Sequence, residues 1–217
     1  MDELPKMIPT YTLNSTQALN SLDILGARCG TDKSPFNQQG HRHPYTPFYA
    51  SLLQARRHLP LRFAEIGVAG GASVLMWGQY FTQAEMYFYD RDENFLKHAA
   101  DFQLPRTHFA LMDVEIAESI RAGLTGAGGQ FDVILDDSSH NLEHQKIIIP
   151  NALDQLKPGG LLLVEDIFRN IPNAEYYHLI EPLIPQLGFF AFYEMEHTNK
   201  YSPGWDNDKL LLLQKAY

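Results

Sequence analysis

The residues best suited to chemistry fall in two acidic clusters, Asp136-Asp137-Ser138-Ser139-His140 and Glu165-Asp166. Asp137, Glu165 and Asp166 are hard oxygen donors, and carboxylates gathered in one place are costly unless a cation neutralises them, so the set suits Mg2+. Zinc fits poorly, because the single cysteine, Cys29, is far from both clusters in sequence. The cation's work would be to hold both oxygens of a vicinal diol and to lower the pKa of the one attacked. His140 follows Asp137 by three residues, and a tight turn there would aim a neutral imidazole at that hydroxyl as general base. Asp136 reads as support for the loop on the cofactor side rather than as a direct metal ligand. Helix capping is the bland alternative for these acids; it explains one of them, not the group.

A second constellation lies upstream. Gly67, Gly70 and Gly71, in the loop Gly67-Val68-Ala69-Gly70-Gly71-Ala72-Ser73, let backbone approach a cofactor where a side chain would block it, with Ser73 at the loop's end. The spacing is not the Gly-x-Gly-x-x-Gly of nicotinamide-binding sheets, because Ala69 stands where that pattern needs glycine. Asp90 lies about twenty residues further on, at a strand end where an acid accepts hydrogen bonds from ribose hydroxyls. Asp92 reads as solvated loop charge.

The elements that must position these residues alternate. Apolar runs at 61–66, 85–89, 107–111, 131–135 and 161–164 read as buried parallel strands, separated by helices at 72–80, 94–102, 115–124 and 142–156. Both acidic clusters and the glycine loop directly follow such strands, so all three should emerge at one sheet edge, where open α/β sheets bind ligands. Phe189–Met195 and Lys209–Gln214 read as an antiparallel hairpin, with a turn-rich loop that holds Trp205 and Asn207. The expected fold is a doubly wound α/β, Rossmann-like sheet of seven strands, mostly parallel, in one domain spanning 1–217. Residues 1–58 should supply an arm over 1–12, a helix over 15–25 begun by Asn14 or Ser15, a polar loop over 30–44 and a helix over 45–58. A Lys157-Pro158-Gly159-Gly160 break should precede the strand at 161.

With 45% hydrophobic and 20% charged residues, the chain has the composition of a globular protein. A net charge of −9 without a basic stripe argues against nucleic acid or an anionic membrane as partner and for a small molecule. A lone cysteine, with no secretory-type start in Met1-Asp2-Glu3-Leu4-Pro5-Lys6, makes the cytoplasm the expected location. Oligomeric state is left open, with the arm able to pack on a neighbouring subunit.

Five parallel strands, a terminal hairpin, the glycine loop and the acid ending the second strand together resemble a class I S-adenosylmethionine-dependent methyltransferase. Gly30-Thr31-Asp32-Lys33, His43-Pro-Tyr45-Thr-Pro-Phe-Tyr49, Met76-Trp77-Gly-Gln-Tyr80-Phe81, Asp136-Asp137-Ser-Ser-His140 and Pro158-Gly-Gly-Leu-Leu-Leu-Val-Glu165-Asp166 narrow this. In that order they resemble the metal-dependent sugar O-methyltransferases of macrolide and aminocoumarin biosynthesis. Ser138 and Ala50 depart from that family, which usually has glycine and often has glutamate at those places.

The resemblance implies that Glu65 lies near the methionine portion of S-adenosylmethionine and that Asp113 lies near its adenine, a helix cap being the equal alternative for Asp113. It also implies that Thr31 and Lys33 approach the cofactor from above. The implied activity is Mg2+-dependent O-methylation of a hydroxyl in a sugar-containing or other small natural product. A cofactor-binding protein without methyl transfer is the alternative, and a nicotinamide-dependent dehydrogenase is a further rival. His144 is a weaker candidate base, and His41 and His43 read as solvated loop residues. Tyr45, Tyr49 and Trp77 read as site walls or core, and Trp205 and Asn207 as acceptor or subunit contacts.

Overall fold

The structure, a computed structural model, describes residues 7–217; the start of the expected arm, 1–6, lies outside the described residues. In chain order the elements are β1 (Thr10–Asn14), α1 (Ser21–Cys29), α2 (Thr46–Leu53), β2 (Arg62–Ile66), α3 (Ala72–Tyr80) and β3 (Glu85–Asp90). They continue with α4 (Glu93–Ala100), β4 (Thr107–Leu111), α5 (Ala117–Gly126), β5 (Phe131–Asp136), α6 (Leu142–Asp154) and β6 (Leu156–Val164). The last three are α7 (Asn173–Ile180), β7 (Leu187–Glu196) and β8 (Lys209–Lys215).

One eight-stranded sheet runs in the order β1-β7-β8-β6-β5-β2-β3-β4. Its strands are parallel except at β8, which is antiparallel to both β6 and β7. The two faces follow from strand alternation. Phe63, Leu135, Leu163 and Leu212 pack with Trp77 and Tyr49 from α3 and α2, while Ala64, Ile134, Leu162 and Leu211 pack with Ile120, Ile148 and Tyr176 from α5, α6 and α7. The chain moves outward from β2 to β3 and β4, then returns so that β5 pairs with the other side of β2. That reversal opens a crevice at the carboxyl ends of β2 and β5, the usual ligand position in such sheets.

The strand count corrects the expected seven. Thr10–Asn14, whose first three residues fall in the expected arm, is an edge strand parallel to β7. The alternating Thr-Tyr-Thr-Leu suits a strand, but only the free edge of β7 gives it a partner. The first helix also begins later than expected, at Ser21, because Asn20 and Asp23 form a capping box. Asn20 accepts from Leu22 N and Asp23 N, while the Asp23 carboxylate accepts from Asn20 N at 2.9 Å. Lys157–Gly160 does not break the chain before β6 but lies inside it, where the pairing with β5 shifts register between Phe131 and Val133.

Candidate functional site

A cavity of about 690 Å3 opens at this crevice, and the glycine loop forms one end of it. Gly67 has φ 92°, and a Cβ there would collide with the carbonyl oxygen of Asp137, so the loop can lie against the end of β5 only with glycine at this position. Asp90, at the end of β3, holds the loop: one carboxylate oxygen accepts from Val68 N at 3.0 Å and Ala69 N at 3.2 Å. Asp90, Gly70, Ser73, Phe95, Met112 and Val114 all border the cavity, so acceptor atoms, apolar walls and a bare backbone meet at this end of it.

Several expected cofactor residues take other places. Gly71 is outside the lining, with φ 80° and the Phe102 ring standing where a Cβ would have to go. Glu65 lies beneath the loop, fully buried, and accepts from Ser73 Oγ at 3.0 Å. Burial pushes its pKa up to about 7, against the pull of Lys33. The Asp113 side chain accepts from Glu115 N at 3.0 Å in a local turn before α5, while Met112 and Val114 on either side face the cavity. Thr31 borders the cavity; Lys33 does not.

At the other end, Asp137, His140 and Asp166 each present one donor atom, all within 4.8 Å of one another. His140 Nε2 is 3.6 Å from Asp166 Oδ2. His140 and Asp166 have φ of 56° and 54°, and Ala69 in the glycine loop has φ 39°. Left-handed backbone at a residue other than glycine costs on the order of 1–3 kcal/mol and persists only where the surroundings enforce it. Its presence in three residues lining one cavity marks the edge as built for placing side chains. Ser138 keeps a negative φ and donates its hydroxyl to Asp136 Oδ1 at 2.7 Å, so this turn needs no glycine at that position. Burial raises Asp136 to about 6 despite those bonds; it supports the turn from below and is outside the cavity lining.

Glu165 is not among the three grouped donors. It faces a buried ammonium: Lys33 Nζ lies 2.5 Å from Glu165 Oε2, also bonds Asp137, and is 3.7 Å from Glu65. Burial opposes the charge on Lys33, yet Asp137, Glu165 and Glu65 together outweigh it and hold its pKa well above the usual lysine value. Burial likewise works against the Asp137 carboxylate, but Lys33 and His140 win and hold it below the usual range. Glu165 and Asp166 are pushed up by burial, against Lys33 for the first and His43 and His140 for the second.

A layer of uncharged and cationic groups stands behind the acids, and its contacts are not legible in the sequence. Tyr49 donates its hydroxyl to Glu165 Oε1, and Tyr45 donates to Asp166 Oδ1 at 2.8 Å. The two tyrosines, expected as site walls or core, are four residues apart on one face at the start of α2, which brings both hydroxyls to the acids. Asn207 Nδ2 donates to the same Asp166 oxygen at 2.9 Å, bringing the hairpin loop to the site. His43, expected as a solvated loop residue, is buried, 2.9 Å from Asp208 and 3.7 Å from Asp166. Burial disfavours its charged ring, but Asp166, the hydrogen bond to Asp208 and Asp32 outweigh that and lift its pKa to about 9. His144 turns to Ser139 Oγ at 2.7 Å and is outside the lining. Asp92 caps α4, and Trp77 is core.

Residues 64–167, which contain both the glycine loop and the acid cluster, match the family model described as a methyltransferase domain. That segment is similar to a methyltransferase domain. Among curated proteins it is 30% identical over 161 residues to 8-demethyl-8-(2-methoxy-α-L-rhamnosyl)-tetracenomycin-C 3′-O-methyltransferase of Streptomyces olivaceus, covering 71% of this chain and 38% of that protein. It is 26% identical over 183 residues to mycinamicin VI 2″-O-methyltransferase of Micromonospora griseorubida, covering 77% and 44%. The chain thus spans about two fifths of the length of the curated relatives it matches. Among solved structures, the MycE methyltransferase from the mycinamycin biosynthetic pathway, in complex with Mg and SAH, superposes with TM-score 0.69 at 21% identity, over 92% of this chain and 55% of that one. This likeness supports the methyltransferase fold for the sheet and its hairpin. Among the described residues, no helix is long and apolar enough to cross a membrane.

Proposed function

We propose that the chain is an S-adenosylmethionine-dependent O-methyltransferase that needs Mg2+ and acts on a hydroxyl of a vicinal diol in a sugar-containing or other small natural product. The observation that carries this is the meeting, in one cavity, of the Gly67 loop and Asp90 with the Asp137–His140–Asp166 group. Both curated relatives named above carry O-methyltransferase names, one for a rhamnosyl tetracenomycin and one for mycinamicin VI.

The residues fit both implied groups. The bare backbone at Gly67 and Gly70, the acid at Asp90 and the apolar Phe95, Met112 and Val114 suit a charged nucleoside thioether. Asp137 and Asp166, with Glu165 beside them, would hold Mg2+, whose chemistry when bound is to polarise the diol oxygens. His140 Nε2, on the Asp166 side, takes the proton of the attacked hydroxyl. S-adenosylmethionine, held at the Gly67 loop and Asp90, would supply a methyl group to the acceptor oxygen, its sulfur keeping the carbon–sulfur bonding pair, while the proton would stay on His140. Tyr45, Tyr49 and Asn207 hold the acids so that positioning is complete before the acceptor arrives. His43, charged at neutral pH, offsets part of the negative potential around Asp166.

One contact favours a second reading, a cofactor-binding protein of this fold without methyl transfer: Lys33 already neutralises Asp137 and Glu165. Incubation with labelled S-adenosylmethionine and a panel of diol glycosides, with and without exhaustive EDTA treatment, separates the two. Transfer that requires readded Mg2+ supports the first; S-adenosylhomocysteine binding without transfer to any acceptor supports the second. Transfer that survives EDTA overturns the metal requirement.

A further inference from the structure

The loop between β7 and β8 folds back over the carboxyl edge of the sheet and is pinned on both sides of Trp205. On one side, Arg42 and Tyr201 exchange backbone hydrogen bonds of 2.8 and 3.0 Å. On the other, Arg169 N donates to Asp206 O at 2.9 Å and the Arg169 guanidinium donates to Asp208 O at 2.9 Å. Between these anchors the Trp205 indole remains 45% exposed while bordering the cavity. Its ring lies 5.5 Å from that of His41, 6.1 Å from that of His140 and 5.7 Å from that of Phe168. The facing loop is braced as well, since Asn37 Nδ2 donates to Gln39 O at 2.5 Å and to His41 O at 3.2 Å. Most large aromatics around the acids are buried; this one is held at the wall beside the candidate base.

We propose that Trp205, framed by His41, is a stacking subsite for a saturated, polyhydroxylated ring of the acceptor, and so a specificity-determining residue. Such a ring has C–H faces and a hydroxyl rim. A ring face laid on the indole keeps its rim within reach of His140 and Asp166, and a wall fixed before binding adds affinity at small ordering cost. The stacking contact is made equally before and during reaction, so it acts on acceptor affinity and not on the barrier. The proposal rests on the methyl-transfer reading above only for the position of the reacting hydroxyl.

The chain has two tryptophans, and Trp77 is fully buried away from added ligand, so a change in emission that Trp205→Ala abolishes reports on Trp205. Titration with methyl α-L-rhamnopyranoside, in the presence of S-adenosylhomocysteine and Mg2+, should change the emission of the unaltered protein and leave that of Trp205→Ala unchanged. In turnover, Trp205→Ala should raise the acceptor KM by roughly three- to tenfold with kcat nearly constant, and Trp205→Phe should lie between. S-adenosylhomocysteine affinity by calorimetry should be the same in all three. An unaltered protein whose emission ignores the glycoside, or a Trp205→Ala protein with unchanged KM, overturns the subsite. So does a Trp205→Ala protein whose only change is a smaller assembly by sedimentation, which would make Trp205 a subunit contact. Absence of methyl transfer from the unaltered protein overturns the activity instead, and the fluorescence titration still decides the subsite.

Discussion

Lys33 Nζ lies 2.5 Å from Glu165 Oε2, so an ammonium only 1% exposed joins the loop before α2 to the end of β6. The same nitrogen bonds Asp137 beyond the end of β5, while the Lys33 carbonyl accepts from Tyr45 N at 3.1 Å and Thr46 N at 3.0 Å. One residue thereby ties the start of α2 to the acids of two strand ends.

Removal of that charge should leave buried carboxylates without a partner. Lys33→Met is expected to lose about 3–5 kcal/mol of unfolding free energy, read by urea denaturation. If the cluster accepts a divalent cation, millimolar Mg2+ should return part of that loss in the variant and do less for the unaltered protein.

Asp90→Ala removes the acceptor of the Val68 and Ala69 amides as well as the acid that faces the cavity. Hydrogen bonds to a charged group are each worth about 1.5–3 kcal/mol, so S-adenosylhomocysteine should bind roughly 10- to 100-fold more weakly by calorimetry. Unchanged affinity would remove Asp90 from the cofactor site.

His140→Asn keeps a polar side chain that asparagine can carry at left-handed φ but removes the base. The expected result is a fall in kcat of about 10²- to 10⁴-fold with cofactor affinity intact. A small loss, within a factor of three, would transfer the proton-accepting role elsewhere.

Asp136 gives a pH-dependent prediction. Its pKa rises from 3.8 to about 6 on folding because burial penalises the charged form. A carboxyl shifted in this direction supports the folded state below the unfolded pKa, and that support is lost as pH rises through the folded value. Asp136→Asn, which can still accept from Ser138, should therefore gain stability relative to the unaltered protein on going from pH 4 to pH 7. The gain should be on the order of 2 kcal/mol, read by denaturant titration at both pH values. A constant difference between the two proteins would show that Asp136 does not titrate in this window.

The alternation of strands and helices from Leu61 to Asp166 is legible because buried parallel strands are short continuous apolar runs, four of the five closed directly by glycine or an acid (Gly67, Asp90, Asp136, Glu165). The edge strand Thr10–Asn14 was not, since a five-residue segment with one half-buried side chain carries little pattern and gains its identity from the open edge of β7. The start of α1 was readable in principle, from Asn20 and Asp23 at capping-box spacing. Trp205 and Asn207 were singled out by residue type and loop position, with their contacts left undecided.

By itself the sequence determined the sheet's core, the strand end that each acid occupies and the place of the glycine loop, because these depend on local periodicity and on which residue follows each strand. Tertiary structure decided which acids meet. Glu165 and Asp166 are adjacent in sequence and leave β6 in different directions, so Asp166 faces Asp137 and His140 while Glu165 faces Lys33 and Tyr49. Neither residue's type encodes that division. It arises because Asp166 adopts a left-handed φ of 54°, and because burial makes every charge take the partner that the packed loops, more than a hundred residues away in sequence, bring within reach.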